Sequence, residues 1–376
     1  MPSSTPSDAC PVCAGPLTPF LEVRGVPVFC NVLWPTRAEA LAAPRGDISL
    51  AFCEACGMLC NVAFDPELVR YSPGYENSLH FSPSFQRFAE GLARRLIDRY
   101  ALRGRRVVDV GCGRGDFLEL LCAAGNRGVG YDPSYPGEPN GGNPRFVRGF
   151  YAGEPADFLS CRHVLEHVEA PRELLDTLYS DATVYFEMPD GGYLLREAAI
   201  WDLIYEHPNH FTAPALRRLF EDAGYGVLDL GSSFGGQYLY IEAARGRNGH
   251  PPGPSAADLA PHVSAFADAH RSKLRAWEER LGELSAAGRT VAVWGAGSKG
   301  VSFLNTVPGG DAVAHVVDLN PRKHGRYVPG TGQRIVAPES LQGAGVDLVL
   351  AMNGLYEAEI RRRLDDLGVA AEVVTI

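Results

Sequence analysis

Residues 107–132 read VVDVGCGRGDFLELLCAAGNRGVGYD, and the fold class turns on how that stretch is built. An apolar run (Val107, Val108, Val110) meets Gly111, Gly113 and Gly115, and the helical spacing of Phe117, Leu118, Leu120 and Leu121 follows at once. The order predicts strand, glycine loop and helix, with a second strand at 128–131. Glycines let a backbone approach a ligand closely and take up positive φ. The helix start beyond them offers unpaired N–H groups and partial positive charge.

Such a loop suits a nucleoside cofactor, and two carboxylates favour S-adenosylmethionine over a dinucleotide. Asp109 sits inside the strand before the glycines, where it can meet the cationic end of that cofactor. Asp132, ending the next strand, is placed to accept hydrogen bonds from ribose hydroxyls. The same acid serves NAD, so NAD remains the competing reading.

Outward from this centre the chain alternates strands and helices. A strand end and turn at 145–153, where the adenine of a cofactor often lies, then strand, loop and helix over 158–178, a strand at 183–190 and a closing antiparallel hairpin over 224–245 imply an α/β domain with a largely parallel sheet. Ligands in such sheets sit at the carboxyl ends of the strands. Ahead of it, Cys10-Pro-Val-Cys13 and Cys53-Glu-Ala-Cys56-Gly57 present two thiolate pairs, the donor set of a structural zinc with no open position. Cys30 and Cys60 lack paired neighbours and read as buried packing. The segment 71–85, with Tyr71, Tyr75, Asn77 and His80, can fold over the cofactor mouth or simply pack as a connection.

After the polar, proline-rich stretch 245–258, a long amphipathic helix is predicted over about 258–287, with Leu259, Val263, Phe266, His270, Leu274, Trp277 and Leu281 on one stripe. A second strand–glycine–helix unit begins at TVAVWGAGSKG, 290–300. Its GxGxxG pattern is weak alone. It can bind a dinucleotide, receive a substrate's nucleotide through Lys299, Lys323 and loop N–H groups, or serve packing only. Three parts are therefore expected: a zinc-binding region 1–85, a cofactor domain 86–245, and a linker, helix and Rossmann-like substrate domain 246–376.

The most chemically loaded segment is YEHPNHF, 205–211. Histidine titrates near neutrality and can remove a proton from an activated carbon. A neighbouring carboxylate can raise its basicity or hold its tautomer. His163 and His167 flank Glu166 after the fourth strand and can line the cofactor pocket or be satisfied structurally.

Bulk properties narrow the partners. A net charge of −10 over 376 residues argues against a dedicated nucleic-acid binder. No run is long enough to span a bilayer, and the N-terminus has no signal-type apolar core, so a cytoplasmic protein without a membrane partner is expected. Nine cysteines then suggest metal and burial rather than disulfides.

Zinc pairs, GCGRG loop, YEHPNHF cluster and second glycine loop, in that order, resemble the sugar C-methyltransferases of the class I S-adenosylmethionine-dependent enzymes. The loop carries their DxGxGxG pattern. SCRHVLEHV, YEHPNHF and VVDLNPRKHGRYVPGT are the most specific further matches, and the resemblance spans nearly the whole chain. It implies C-methylation of a nucleotide-linked 4-keto-deoxysugar, as in antibiotic branched-sugar pathways, by a monomer or small homo-oligomer.

Carried across, Cys10, Cys13, Cys53 and Cys56 hold zinc, and Asp109, Gly111, Gly113, Gly115, Asp132 and His163 serve S-adenosylmethionine. His207 is the base, supported by Glu206, Tyr75 and Tyr205, and Asn209, His210, Lys299, Asn320 and Lys323 face the substrate. The chain departs from the family's YHEHxSYF: Ile204 stands where an active-site tyrosine is expected, with Tyr205 shifted by one and His210 in a tyrosine's place. The second loop, GAGSKG, departs likewise from the usual GYGAxxKG. O- or N-methylation of another metabolite is the alternative activity, and a zinc-bearing scaffold that only binds nucleotides is the non-enzymatic one.

Overall fold

The computed structural model describes residues 9–69, 74–138, 142–246 and 255–376. Tyr71, the first aromatic of the 71–85 segment, lies outside them, as does most of the proline-rich linker. Three sheets organise the chain.

The central sheet has seven strands, and the order explains the position of the cofactor loop. Arg106–Val110 lies in the middle, flanked by Arg127–Tyr131 and Phe158–Arg162, both parallel to it. Arg145–Val147 lies beyond the first and Thr183–Pro189 beyond the second. Tyr238–Arg245 then runs antiparallel to Thr183–Pro189 and pairs with Tyr225–Ser233, the hairpin expected from the sequence. The chain therefore reverses direction across the sheet at Arg106–Val110, and the crevice at that switch point opens at its carboxyl end. This is the class I methyltransferase arrangement.

Val107, Val108 and Val110 are buried because both faces of a parallel sheet are covered. The helix Pro83–Arg99 covers one face with Leu92, Ala93 and Leu96, its Ser82 side chain capping Phe85 N. The other face packs Phe186, Leu216, Leu219 and Phe220 together with Met58 and the cysteines of the N-terminal part.

The N-terminal sheet joins Thr18–Pro27, Arg45–Phe52 and Leu59–Asn61, and its fourth strand comes from far along the chain. Asn209–His210 pairs antiparallel with Leu59–Asn61, Leu59 opposite His210 and Cys60 opposite Asn209. Thr212 Oγ1 fastens the next turn by donating to Gly57 O at 2.9 Å. The division at residue 85 is crossed here, since Trp201, Ile204 and Tyr205 share a core with Val28, Leu50 and Phe303.

The C-terminal sheet is parallel throughout, ordered Ile335–Val336, His315–Val317, Val291–Trp294, Leu348–Ala351, Glu372–Thr375. Before it runs one unbroken helix, Ala260–Ala286, whose Phe266, Leu281 and Leu284 are buried in the core shared with the N-terminal sheet, with His270 buried on the same helix. It is the packing strut its periodicity predicts. No helix among the described residues is long and apolar enough to cross a membrane.

Gly115 shows what the glycine loop requires. Its φ is +93°, and a Cβ there would lie 2.3 Å from ring carbons of Phe146. Gly115→Ala must move that ring and hold a left-handed alanine, which costs roughly 1–2 kcal/mol before any clash. A fall in melting temperature of several degrees, read by circular dichroism, is expected.

Candidate active site

A cleft of about 990 Å³ lies where the three parts meet. Its walls are the 75–85 segment, the loop 109–114, the turn 162–168, His207 and His210, and the C-terminal loops around Gly295, Asp318 and Asn353.

The cofactor end is rigid. Gly111 N and Cys112 N both donate to Tyr131 O, at 2.7 and 3.1 Å, so the loop is folded back onto the neighbouring strand. Gly113 N donates to Asp132 Oδ2 at 2.9 Å, and Ser134 donates to Oδ1 from both its N and its Oγ, at 2.7 and 2.6 Å. Asp132 thus sets the loop's shape while facing the cleft. Asp109 also faces it, receives Ser160 Oγ at 2.6 Å and is almost wholly buried. Burial pushes its carboxyl up to about 6, against the opposing pull of Ser160 and the Arg162 guanidinium. Gly111 and Gly113 line the cleft, whereas Gly115 lies behind it against Phe146. Its part is therefore to let the loop pack, not to touch a ligand.

Opposite stands a group of imidazoles. His163, at the unusual φ of +55°, lines the cleft between Glu166 and Glu187, each 3.6 Å away. Burial disfavours its charged ring, but these two carboxylates outweigh burial and raise its pKa. Glu187 is itself buried; the Arg162 guanidinium at 2.8 Å and His163 overcome that burial and hold its carboxyl well below the usual range. Tyr185 and Ser233 donate to its second oxygen at 2.8 and 2.9 Å. His207 is the contrasting case. Burial pushes its pKa well below the ordinary value, with His167 and His210 adding to the effect, and its Nδ1 has no hydrogen-bond partner. A neutral imidazole with an unengaged nitrogen at a cleft wall can accept a proton. His210, buried and lowered to about 4, is neutral too and lies with its ring 6.1 Å from that of His207.

The neighbours of His207 do not all point where their order along the chain suggests. Tyr205, expected beside the base, turns into the N-terminal core, its hydroxyl accepting from Asp65 N at 2.7 Å and its ring against Phe64. Asn209, expected at the substrate, is buried with Nδ2 donating to Val168 O at 2.6 Å. Both are corrections: Asn209 enters the N-terminal sheet, where successive side chains take opposite faces, and Tyr205, in the turn before it, is drawn into the N-terminal core by Asp65 and Phe64. Glu206 is displaced as well. Its Oε1 accepts from Cys30 N at 3.1 Å and its carboxyl bonds Tyr75, so it does not hold the His207 ring. Its main-chain oxygen instead contacts His167 Nδ1 at 2.8 Å. Tyr75 does reach the cleft, with its hydroxyl 3.5 Å from Asn31 Nδ2.

On the C-terminal side, Lys299, Asn320 and Lys323 line the cleft with their polar groups already engaged. Lys299 Nζ meets Asp202 at 2.9 Å, and Lys323 Nζ donates to Ala296 O at 2.9 Å beside Asp318. Asn320 Nδ2 donates to Glu76 at 3.0 Å. Asp318, where a dinucleotide site keeps its ribose acid, accepts from Ala296 N and Asn320 N at 2.8 Å each. Sequence reasoning missed Glu76, a buried carboxylate that also pairs with Arg114 at 2.8 Å and Arg322 at 3.5 Å. Within the 145–153 stretch it did not single out Phe150, which lines the cleft near Asp132 and is 84% exposed. A lone large apolar side chain left in water at a cleft wall is the signal that would have found it.

Away from the cleft, ligand atoms of Cys10, Cys13, Cys53 and Cys56 lie within 4.8 Å of one another, with Cys10–Cys56 and Cys13–Cys53 sulfurs 3.5 Å apart. A tetrahedral zinc with ~2.3 Å bonds needs sulfurs about 3.8 Å apart, so the residues fit. Val12 N points at Cys10 Sγ at 3.4 Å. All nine cysteines are free of disulfides.

Comparison with known proteins is consistent with this layout. Residues 85–230 match the model of a methyltransferase domain, and residues 257–372 match that of a C-methyltransferase C-terminal domain. The C-methyltransferase NovU of Streptomyces niveus is 26% identical over 301 residues, 71% of this chain and 72% of that relative. Among solved structures, magnesium protoporphyrin IX methyltransferase from Synechocystis is 21% identical over 43% of this chain and 80% of its own, with a TM-score of 0.34. A 1,6-didemethyltoxoflavin-N1-methyltransferase from Burkholderia thailandensis is 20% identical over 42% and 78%, with a TM-score of 0.35.

Two expectations follow. Tyr205→Phe leaves turnover within about twofold but strands Asp65 N, lowering stability by roughly 1–2 kcal/mol in urea melts. The Asp109 carboxyl, raised from 3.8 to about 6, binds its proton more tightly in the folded chain, so its stabilising contribution is full below pH 3.8 and is lost as the pH rises through 6. Asp109→Asn should therefore abolish about 1–1.5 kcal/mol of the stability that the cofactor-free protein loses between pH 5 and pH 8.

Proposed function

Because the chain belongs to the S-adenosylmethionine-dependent C-methyltransferases, we propose that it methylates the carbon next to the ketone of a nucleotide-linked deoxysugar. The observation that carries this reading is His207: a neutral imidazole with an unpartnered nitrogen, on the wall of a cleft shared by the GCGRG loop and the C-terminal loops.

A carbon nucleophile has to be made, because a C–H bond beside a ketone is only weakly acidic. His207 takes that proton; burial keeps the ring neutral beforehand, and the enolate charge that develops beside it favours the imidazolium it becomes. Charge then develops on the ketone oxygen. Asn31, whose Nδ2 has a second hydrogen beside the one directed at Tyr75, is a donor on the cleft wall that can stabilise it, and Tyr75 can do so by turning its hydroxyl away from Glu206. Bound S-adenosylmethionine supplies the electrophilic methyl group that the enolate carbon takes up. Asp109 and Asp132, which line the cleft at the glycine loop, would hold the cofactor, and Phe150 would offer an apolar surface to its adenine. The nucleotide of the substrate lies against the C-terminal loops. There Lys299, Asn320 and Lys323 act on its phosphates only by leaving Asp202, Glu76 and Ala296, while the N–H groups at the start of the Ser298–Thr306 helix are donors on the cleft wall. Holding both reactants in one cleft removes most of the entropic cost of their encounter.

Solvent-deuterium exchange tests the base directly. With a nucleotide-linked 4-keto-deoxysugar and no cofactor, the protein should exchange the hydrogen beside the ketone. His207→Asn should slow both exchange and turnover about 10²–10⁴-fold while S-adenosylmethionine still binds in calorimetry. Turnover without exchange would support O- or N-methylation instead, and full activity in His207→Asn would remove the histidine from the mechanism.

A further inference from the structure

One carboxylate and two imidazoles converge at the wall of the cleft, in a pattern that proton abstraction alone does not use. One ligand atom from each of Glu166, His167 and His207 lies within 4.8 Å of the other two. Two of the three residues also carry a buried polar atom left over. Glu166 Oε2 and His207 Nδ1 have no hydrogen-bond partner, and His210 Nε2, in the adjoining ring, has none either. Leaving buried polar atoms unpaired is costly, so several in one place mark a position for a bound group.

His167 supplies the second observation. Its Nδ1 lies 2.8 Å from the main-chain oxygen of Glu206. A carbonyl only accepts, so Nδ1 carries the proton and Nε2 holds the lone pair. Metal-ligating histidines are oriented in this way, one ring nitrogen donating to a carbonyl and the other facing the ion. The ring stands edge-on to His207, centroids 4.6 Å apart and planes at 78°. Two imidazoles and one carboxylate form a donor set that takes zinc-class ions and leaves positions open. Ligand atoms about 2.0–2.1 Å from a tetrahedral ion sit roughly 3.3 Å apart, so closure needs side-chain shifts of at most about 1.5 Å.

We propose that Glu166, His167 and His207 form a second metal site, distinct from the four-cysteine cluster, which takes one zinc-class divalent cation when no substrate is bound and so occupies His207. The binding stands on the geometry alone; its consequence for turnover rests on the reading of His207 as the base.

The test uses the full chain with its cysteine site loaded with zinc, titrated with Co²⁺ in the absence of substrate. One further equivalent should bind, with visible bands of nitrogen and oxygen ligation and no thiolate charge-transfer band, while zinc stays at one per chain by plasma emission. Glu166→Gln and His167→Asn should each lose that equivalent, keeping their zinc and their circular dichroism spectrum. At full cobalt occupancy turnover should fall at least about tenfold and return on chelation of the cobalt. Metal content fixed at one per chain, an added equivalent that persists in both variants, or turnover unchanged at full occupancy would overturn the proposal. Because cobalt binding is read optically and the base by deuterium exchange in metal-free buffer, failure of one leaves the other standing.

Discussion

The pairing of Asn209–His210 with Leu59–Asn61 is the constraint on which the cleft depends. Two residues make a short strand, yet the pairing is anchored on both sides. Asn61 N donates to Pro208 O at 2.8 Å, and Thr212 Oγ1 holds Gly57 O. Strand geometry then sends Asn209 and His210 to opposite faces. The chain before it is fixed by Tyr205, whose ring lies so close over Gly46 that a Cβ there would stand 2.2 Å from it. With Tyr205 and Asn209 both pinned, His207 between them is presented to the cleft as part of a braced loop.

How much of this was legible depends on how far the deciding contact lies along the chain. The GCGRG loop, its flanking strands and Asp132 are set by contacts within some twenty residues, and periodicity and glycine placement sufficed to read them. The four cysteines were legible because thiolate pairs have few other uses in a reducing setting. The directions of Tyr205, Glu206 and Asn209 were not. They are set by Asp65, Cys30 and the Leu59–Asn61 strand, well over a hundred residues earlier, and adjacency in YEHPNHF says nothing about them. Likewise Lys299 reads as a phosphate ligand until Asp202 is found beside it.

Charge placement ties the three parts together beside the hydrophobic core they share. Glu76 takes Arg114 from the cofactor loop, and Asn320 and Arg322 from the C-terminal domain, on one buried carboxylate. A buried acid with this many partners resists removal of any one of them, because the rest are left with an underpaired charge. The cofactor loop and the C-terminal loop therefore share a common fixed point next to the cleft, through a segment belonging to neither.

The hydroxyl of Thr212 resting on Gly57 gives the thiol cluster a reach beyond its own fold. Gly57 follows Cys56 directly, so the turn that wraps the sulfurs is the same turn that receives the end of the histidine-bearing segment. Oxidising the thiols, or stripping out their ion, would unseat that turn, and the disturbance would arrive at the far side as a misaimed imidazole. The sulfur cluster and the loop that presents His207 are thus latched to each other through a single hydroxyl–carbonyl hydrogen bond.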